Sequence, residues 1–96
     1  MIPKAMDSLD FVEAVMALEK VLGIEVPSND AEQFGTPREM VDWLESRLSN
    51  QRPNQKSAAL LRGLAKSQND PELAEGLDRT WRREQIAAII REMFQD

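Results

Sequence analysis

The sequence predicts an all-α fold, and three observations carry that expectation. Apolar residues recur at helical spacing along nearly the whole chain. Helix start and stop signals punctuate it at short intervals. Only Ile24-Glu25-Val26 reads as a strand, and it is too short to stand alone. With 96 residues, 42% of them apolar, the chain supports one domain with one small core.

The first helix is expected to begin at Asp7 or Ser8 and to stop before Gly23, with Asp7 as N-cap and Gly23 in the C′ position. Phe11, Val15, Leu18 and Leu22 form its core-facing stripe. A second apolar set, Leu9, Val12 and Met16, lies on another face among Asp10, Glu13 and Glu19. It fits either a contact surface for a partner or packing on another helix of the same chain, and spacing leaves both open. Pro27-Ser28-Asn29-Asp30 marks a turn into a short helix reaching Phe34, and Gly35 ends it. Thr36-Pro37-Arg38-Glu39 is a capping box with Pro at the first helical position, opening a helix that turns Met40, Val41, Leu44 and Leu48 inward and fades at Ser49-Asn50. Asn50 to Lys56 is a polar linker. Ser57 to Ser67 reads as a weak helix, with Leu60, Leu61 and Leu64 apolar and Gly63 in its middle. Asn69-Asp70-Pro71-Glu72 starts a short helix ending near Gly76. Asp78 or Thr80 then caps a last helix from Trp81 to Gln95, striped by Ile86, Ile89, Ile90, Met93 and Phe94.

Composition removes most catalytic chemistry. The chain has no Cys, no His and no Tyr, so it holds no thiolate nucleophile, no zinc-thiolate site and no imidazole base or ligand. Its four glycines are isolated, which excludes a glycine-rich phosphate loop, and no EF-hand spacing occurs. Neither a catalytic nor a metal-binding residue set is expected. No apolar run is long enough for a membrane span and no apolar signal core opens the sequence, so the expectation is a soluble, cytoplasmic protein.

The net charge of −5 is unevenly divided. Residues 1–45 hold ten acids and three bases, a net −7, whereas residues 46–96 hold seven acids and nine bases, a net +2. The acidic half argues against nucleic acid and for a partner with a basic protein surface. By itself, Ser8 beside Asp7 is ordinary capping chemistry; a phosphate ester there would equally suit the amide dipoles of a helix start.

The residues around Ser8 carry a resemblance. The run Asp7-Ser8-Leu9-Asp10-Phe11-Val12-Glu13-Ala14-Val15-Met16-Ala17-Leu18-Glu19 resembles the signature of acyl carrier proteins, which have Asp-Ser-Leu at the start of their second helix. The likeness continues through Gly23-Ile24-Glu25-Val26-Pro27, then Asp30-Ala31-Glu32, and ends in Thr36 to Leu48, which is similar to the family's fourth helix. It implies that Ser8 receives 4′-phosphopantetheine through a phosphodiester and that the arm's thiol holds an acyl group as a thioester for fatty acid or polyketide chemistry. It also implies a carrier, not an enzyme. Its partners would be a phosphopantetheinyl transferase and acyl-transferring or acyl-modifying enzymes with basic docking surfaces. The matching recognition positions are Asp7, Leu9, Asp10, Val12, Glu13, Met16 and Glu19. Lys20 departs from the pattern, where many carriers keep another acid.

Carriers have a helix and a long loop before Asp-Ser-Leu, whereas six residues precede Asp7 here. The Phe11-Val15-Leu18-Leu22 stripe therefore needs another cover, because exposed apolar surface costs about 25 cal/mol per Å². Arg82 to Phe94 is similar to the family's first helix, with Ile86, Ile89, Ile90 and Phe94 at the apolar positions. The expected fold is thus a small four-helix acyl-carrier-like bundle, circularly permuted, in a single domain over 1–96. Residues 7–49 supply helices two to four, 50–80 a helical linker, and 81–96 the first-helix equivalent. The same surfaces could pair between chains as a swapped dimer instead of within a monomer, and residues 50–96 could alternatively form a separate hairpin whose basic run, Arg52, Lys56, Arg62 and Lys66, docks a dedicated enzyme. Burial of Trp43 and Trp81 would accord with the permuted bundle. The competing functional reading is a carrier-like interaction module without a prosthetic group; an enzyme subunit would need its partner's catalytic groups.

Overall fold

The computed structural model describes residues 8–32 and 34–94, and for residues 8–11 and 28 only their backbone. Among the described residues five α-helices and one 3-10 turn follow in order: α1 (Ser8–Leu22), α2 (Ser28–Ala31), α3 (Pro37–Leu48), α4 (Gln55–Ser67), the 3-10 turn Pro71–Ala74, and α5 (Arg83–Phe94). No strand occurs among the described residues; Ile24 to Val26 is an extended connector.

Each boundary has a local cause. Gly23 leaves α1 at φ +69°, and its N–H and that of Ile24 both donate to the Glu19 carbonyl at 2.8 and 3.2 Å. The positive φ is the left-handed geometry that glycine adopts without strain at a helix exit. Thr36 caps α3: its Oγ1 accepts from the Glu39 N–H at 3.1 Å and donates to Glu39 Oε1 at 3.1 Å. The glutamate thus answers the threonine hydroxyl, a variation on the reciprocal bond of a capping box.

Four elements differ from the expected ones. Helix α2 stops at Ala31 instead of reaching Phe34. Helix α4 begins at Gln55 rather than Ser57, because Asn54 Oδ1 accepts from the Ser57 N–H at 2.9 Å and acts as N-cap. The Asp70-Pro71 start yields only a 3-10 turn over Pro71–Ala74, in which the Asp70 side chain makes no capping bond. Helix α5 begins at Arg83, not Trp81, and neither Asp78 nor Thr80 caps it. Instead the Arg82 N–H donates to Gln85 Oε1 at 2.9 Å, while Gln85 Nε2 donates to the carbonyls of Leu73 (3.3 Å) and Glu75 (3.4 Å). Gln85 is fully buried, so one side chain closes the start of α5 and ties it to the 3-10 turn.

One core joins all of this. Val15, Leu18 and Leu22 of α1 meet Met40, Val41, Leu44 and Leu48 of α3 and Ile86, Ile89, Ile90 and Phe94 of α5 in a single buried cluster. Within residues 50–80, α4 and the 3-10 turn do more than connect, because Leu61, Leu64, Ala65 and Leu73 are buried in the same cluster. Helix α5 packs mainly on α3, and α4 mainly on the 3-10 turn. Trp81 is buried and its N–H donates to the Gln51 carbonyl at 3.0 Å, tying the entry of α5 to the exit of α3. Trp43 is half-buried, edge-on to Phe34 at 5.5 Å and beneath the Arg47 guanidinium at 4.7 Å. Arg83 bridges α5 to Asp42 (2.7 Å) and Glu45 (2.9 Å) of α3, and those two carboxylates raise its already high pKa. No helix among the described residues is long and apolar enough to cross a membrane.

Candidate functional site

Ser8 is the first residue of α1, a helix of 15 residues. The leading N–H groups of a helix have no acceptor within it, and its dipole places partial positive charge there, so this backbone position suits an esterified phosphate. The N-cap expected at Asp7 lies outside the described residues, as do the side chains of Ser8, Leu9, Asp10 and Phe11.

The face running from Ser8 along α1 is open. Val12 and Met16, one and two turns on, are 51% and 52% exposed, and they are the large hydrophobics left exposed among the described residues. At 1.5 Å per residue, Met16 stands about 12 Å along the axis from Ser8. Glu13 is exposed beside them. For Val12 and Met16 this settles the question that spacing left open: they do not pack on another helix of the chain. On the opposite side, Val15, Leu18 and Leu22 are buried, which fixes the rotation of α1 and keeps the other face outward.

Glu19 is placed differently from the other recognition candidates. It is half-buried, and its Oε2 accepts from the Val26 N–H at 2.7 Å. Its carboxylate therefore fastens the Gly23–Pro27 connector to α1. Sequence reasoning missed this role because the bond spans seven residues through a turn. A similar clasp secures the end of α1, where the Val21 carbonyl accepts from both Ser57 Oγ and Asn54 Nδ2 of α4 and its cap. A Cβ at residue 23 would stand 3.1 Å from Asn54 Nδ2, so a larger residue would push on the amide of this clasp as well as strain φ. Among the described residues no group of three or more Asp or Glu is arranged to hold a metal ion.

Comparison with known proteins bears on the same segment. Residues 5–44 match the family described as "Phosphopantetheine attachment site". The chain is 50% identical over 40 residues to an acyl carrier protein of Lactobacillus johnsonii, covering 42% of this chain and 50% of that one. It is 40% identical over 43 residues to an acyl carrier protein of Thermosynechococcus vestitus, covering 45% and 53%. The chain thus spans about half the length of these curated relatives. No solved structure matches it. A helix that opens on Ser8 and turns Val12, Glu13 and Met16 outward thus lies in the segment, residues 5–44, that is similar to the phosphopantetheine-attachment family.

Proposed function

We propose that this chain is an acyl carrier in which Ser8 bears 4′-phosphopantetheine. The observation that carries the reading is Ser8 standing as the first residue of α1, within the segment matched to the attachment family. The prosthetic arm supplies the terminal thiol on which an acyl group is held as a thioester. The chain's own part is to anchor and present. The Ser8 hydroxyl is the point of attachment, the first-turn N–H groups of α1 face the phosphodiester, and the rigid helix carries the recognition face beside it. Val12 and Met16 give that face an apolar centre, and Glu13, with Asp7 and Asp10, gives it an acidic rim for basic enzyme surfaces. Leu9 completes the apolar set, and Glu19 supports the face by fastening the turn behind it. The partners are a phosphopantetheinyl transferase and acyl-handling enzymes of fatty acid or polyketide type, in the cytoplasm.

The same reading makes residues 1–96 one carrier domain in permuted order, with residues 81–96 in the place of the carrier's first helix. Burial of Ile86, Ile89, Ile90 and Phe94 in one cluster with Val15, Leu18 and Leu22 supports this, because α5 helps to cover the α1 stripe.

The test is intact mass after incubation with coenzyme A and a broad-specificity phosphopantetheinyl transferase, with Ser8→Ala alongside. A gain of one phosphopantetheine in the natural chain alone is expected. No gain from a folded sample would overturn the proposal and leave an interaction module without a prosthetic group.

A further inference from the structure

The carrier reading leaves one helix face unused. Between Ser46 and Asn69 the chain has five bases and no acid, and only Arg47 among those bases has an acidic partner, Asp30 at 3.3 Å. Arg52, Lys56, Arg62 and Lys66 are all exposed, and their side chains make no ion pair or hydrogen bond to any described residue. Lys56, Ala59, Gly63 and Lys66 recur at intervals of three, four and three residues, so they share one outward face of α4. No aromatic or large aliphatic side chain stands among them that could stack on a base or enter a bilayer. At its centre the surface is low, since a Cβ added to Gly63 would meet nothing within 4 Å.

The complement of this face is on the same molecule. Helix α1 presents Val12 and Met16 four residues apart, the spacing that also separates Ala59 from Gly63, and about 6 Å along either axis. Glu13 stands exposed beside them, and the half containing α1 carries the net −7. Large apolar residues beside the Glu13 carboxylate on one helix thus match small residues with bases on the other, and Lys20, exposed one turn past Met16, lies at the end of α1 beyond that patch. The two faces cannot meet within one chain, because Val12 and Met16 are open while α1 and α4 are already clasped at the Val21 carbonyl. That clasp makes the helices neighbours, so a two-fold axis can lay each α1 across the other copy's α4 and close both contacts at once.

We propose that the chain self-associates as a two-fold dimer in which the α1 face of each copy docks on the basic α4 face of the other. The contact covers the surface assigned to enzyme docking, so dimer and enzyme compete for α1. The dimer itself does not require modification of Ser8, and it is tested on the unmodified chain.

The experiment is sedimentation equilibrium on the natural chain, Glu13→Lys, Lys66→Glu, and an equimolar mixture of the two variants. All the changes are at exposed positions, and far-UV circular dichroism checks that each folds. The natural chain is expected to reach twice 10.9 kDa with rising concentration. Each variant alone, with like charges at both contacts, is expected to dissociate at least tenfold more readily. The mixture should recover the dimer, because a mixed pair has one natural contact and one with both charges reversed. Gly63→Gln should remain monomeric while melting no lower than the natural chain at dilutions where both are monomers, as glutamine is the better helix former. A natural chain that stays at 10.9 kDa at every concentration would overturn the proposal. So would a dimer indifferent to both reversals, which would point to exchange of whole helices, or failure of the mixture to recover it.

Discussion

Removing residues 81–96 tests whether the bundle is one folding unit. The segment buries Trp81, Ile86, Ile89, Ile90 and Phe94 at 8% exposure or less. At about 1.5–3 kcal/mol for each large apolar side chain, these five contribute roughly 7–15 kcal/mol before entropy is set against them. A domain of this size has a net stability of about 5–15 kcal/mol in total. The deletion also exposes Met40, Val41 and Leu44 of α3, on which α5 chiefly packs. The chain ending at residue 80 should therefore show no cooperative transition in urea, followed by circular dichroism at 222 nm. Adding residues 81–96 as a separate peptide should restore helicity and shift Trp81 emission to the blue. A milder form is Ile89→Ala, expected to remove about 2–5 kcal/mol while keeping the transition cooperative. A cooperative melt of the shortened chain, within about 1 kcal/mol of the full one, would refute the reasoning. Residues 8–67 would then hold their own core, and α5 would be an appendage.

Five further substitutions have defined outcomes. Thr36→Ala should destabilise the fold by about 1 kcal/mol in urea titration, because it removes the acceptor for the Glu39 N–H. Gly23→Ala should cost about 1–2 kcal/mol or more, since φ +69° and the nearby Asn54 amide both oppose a Cβ; an unchanged midpoint would mean the turn relaxes freely. Gln85→Leu should cost about 2–4 kcal/mol by leaving the buried partners of its amide unbonded, read as a lowered midpoint with an unchanged denaturant slope. Glu13→Lys and Glu19→Ala should separate two kinds of residue on α1. The first should weaken docking of a basic enzyme surface, measured by calorimetry, with a melt within about 0.5 kcal/mol of the natural chain. The second should lower stability by about 1 kcal/mol through loss of the Val26 bond.

The sequence alone determined what depends on neighbours along the chain. The spacing of Val15, Leu18 and Leu22 specified the buried side of α1, Gly23 its end, and Thr36-Pro37 the start of α3. The carrier-like run around Ser8 was equally legible, because its residues follow one another without interruption. Tertiary structure decided what depends on residues far apart. Spacing could not say whether Val12 and Met16 were core or surface; that followed only once α3, α4 and α5 had closed around the other side of α1. Glu19 read as one more acid of a recognition face until the chain turned at Gly23 and brought the Val26 N–H to its carboxylate. Gln85 carried no helix-start signal, and it closes α5 only because the 3-10 turn brings the Leu73 and Glu75 carbonyls to its amide. Capping and periodicity are properties of a few consecutive residues and can be read from them. A hydrogen bond or a buried face between distant segments exists only after the intervening chain has folded.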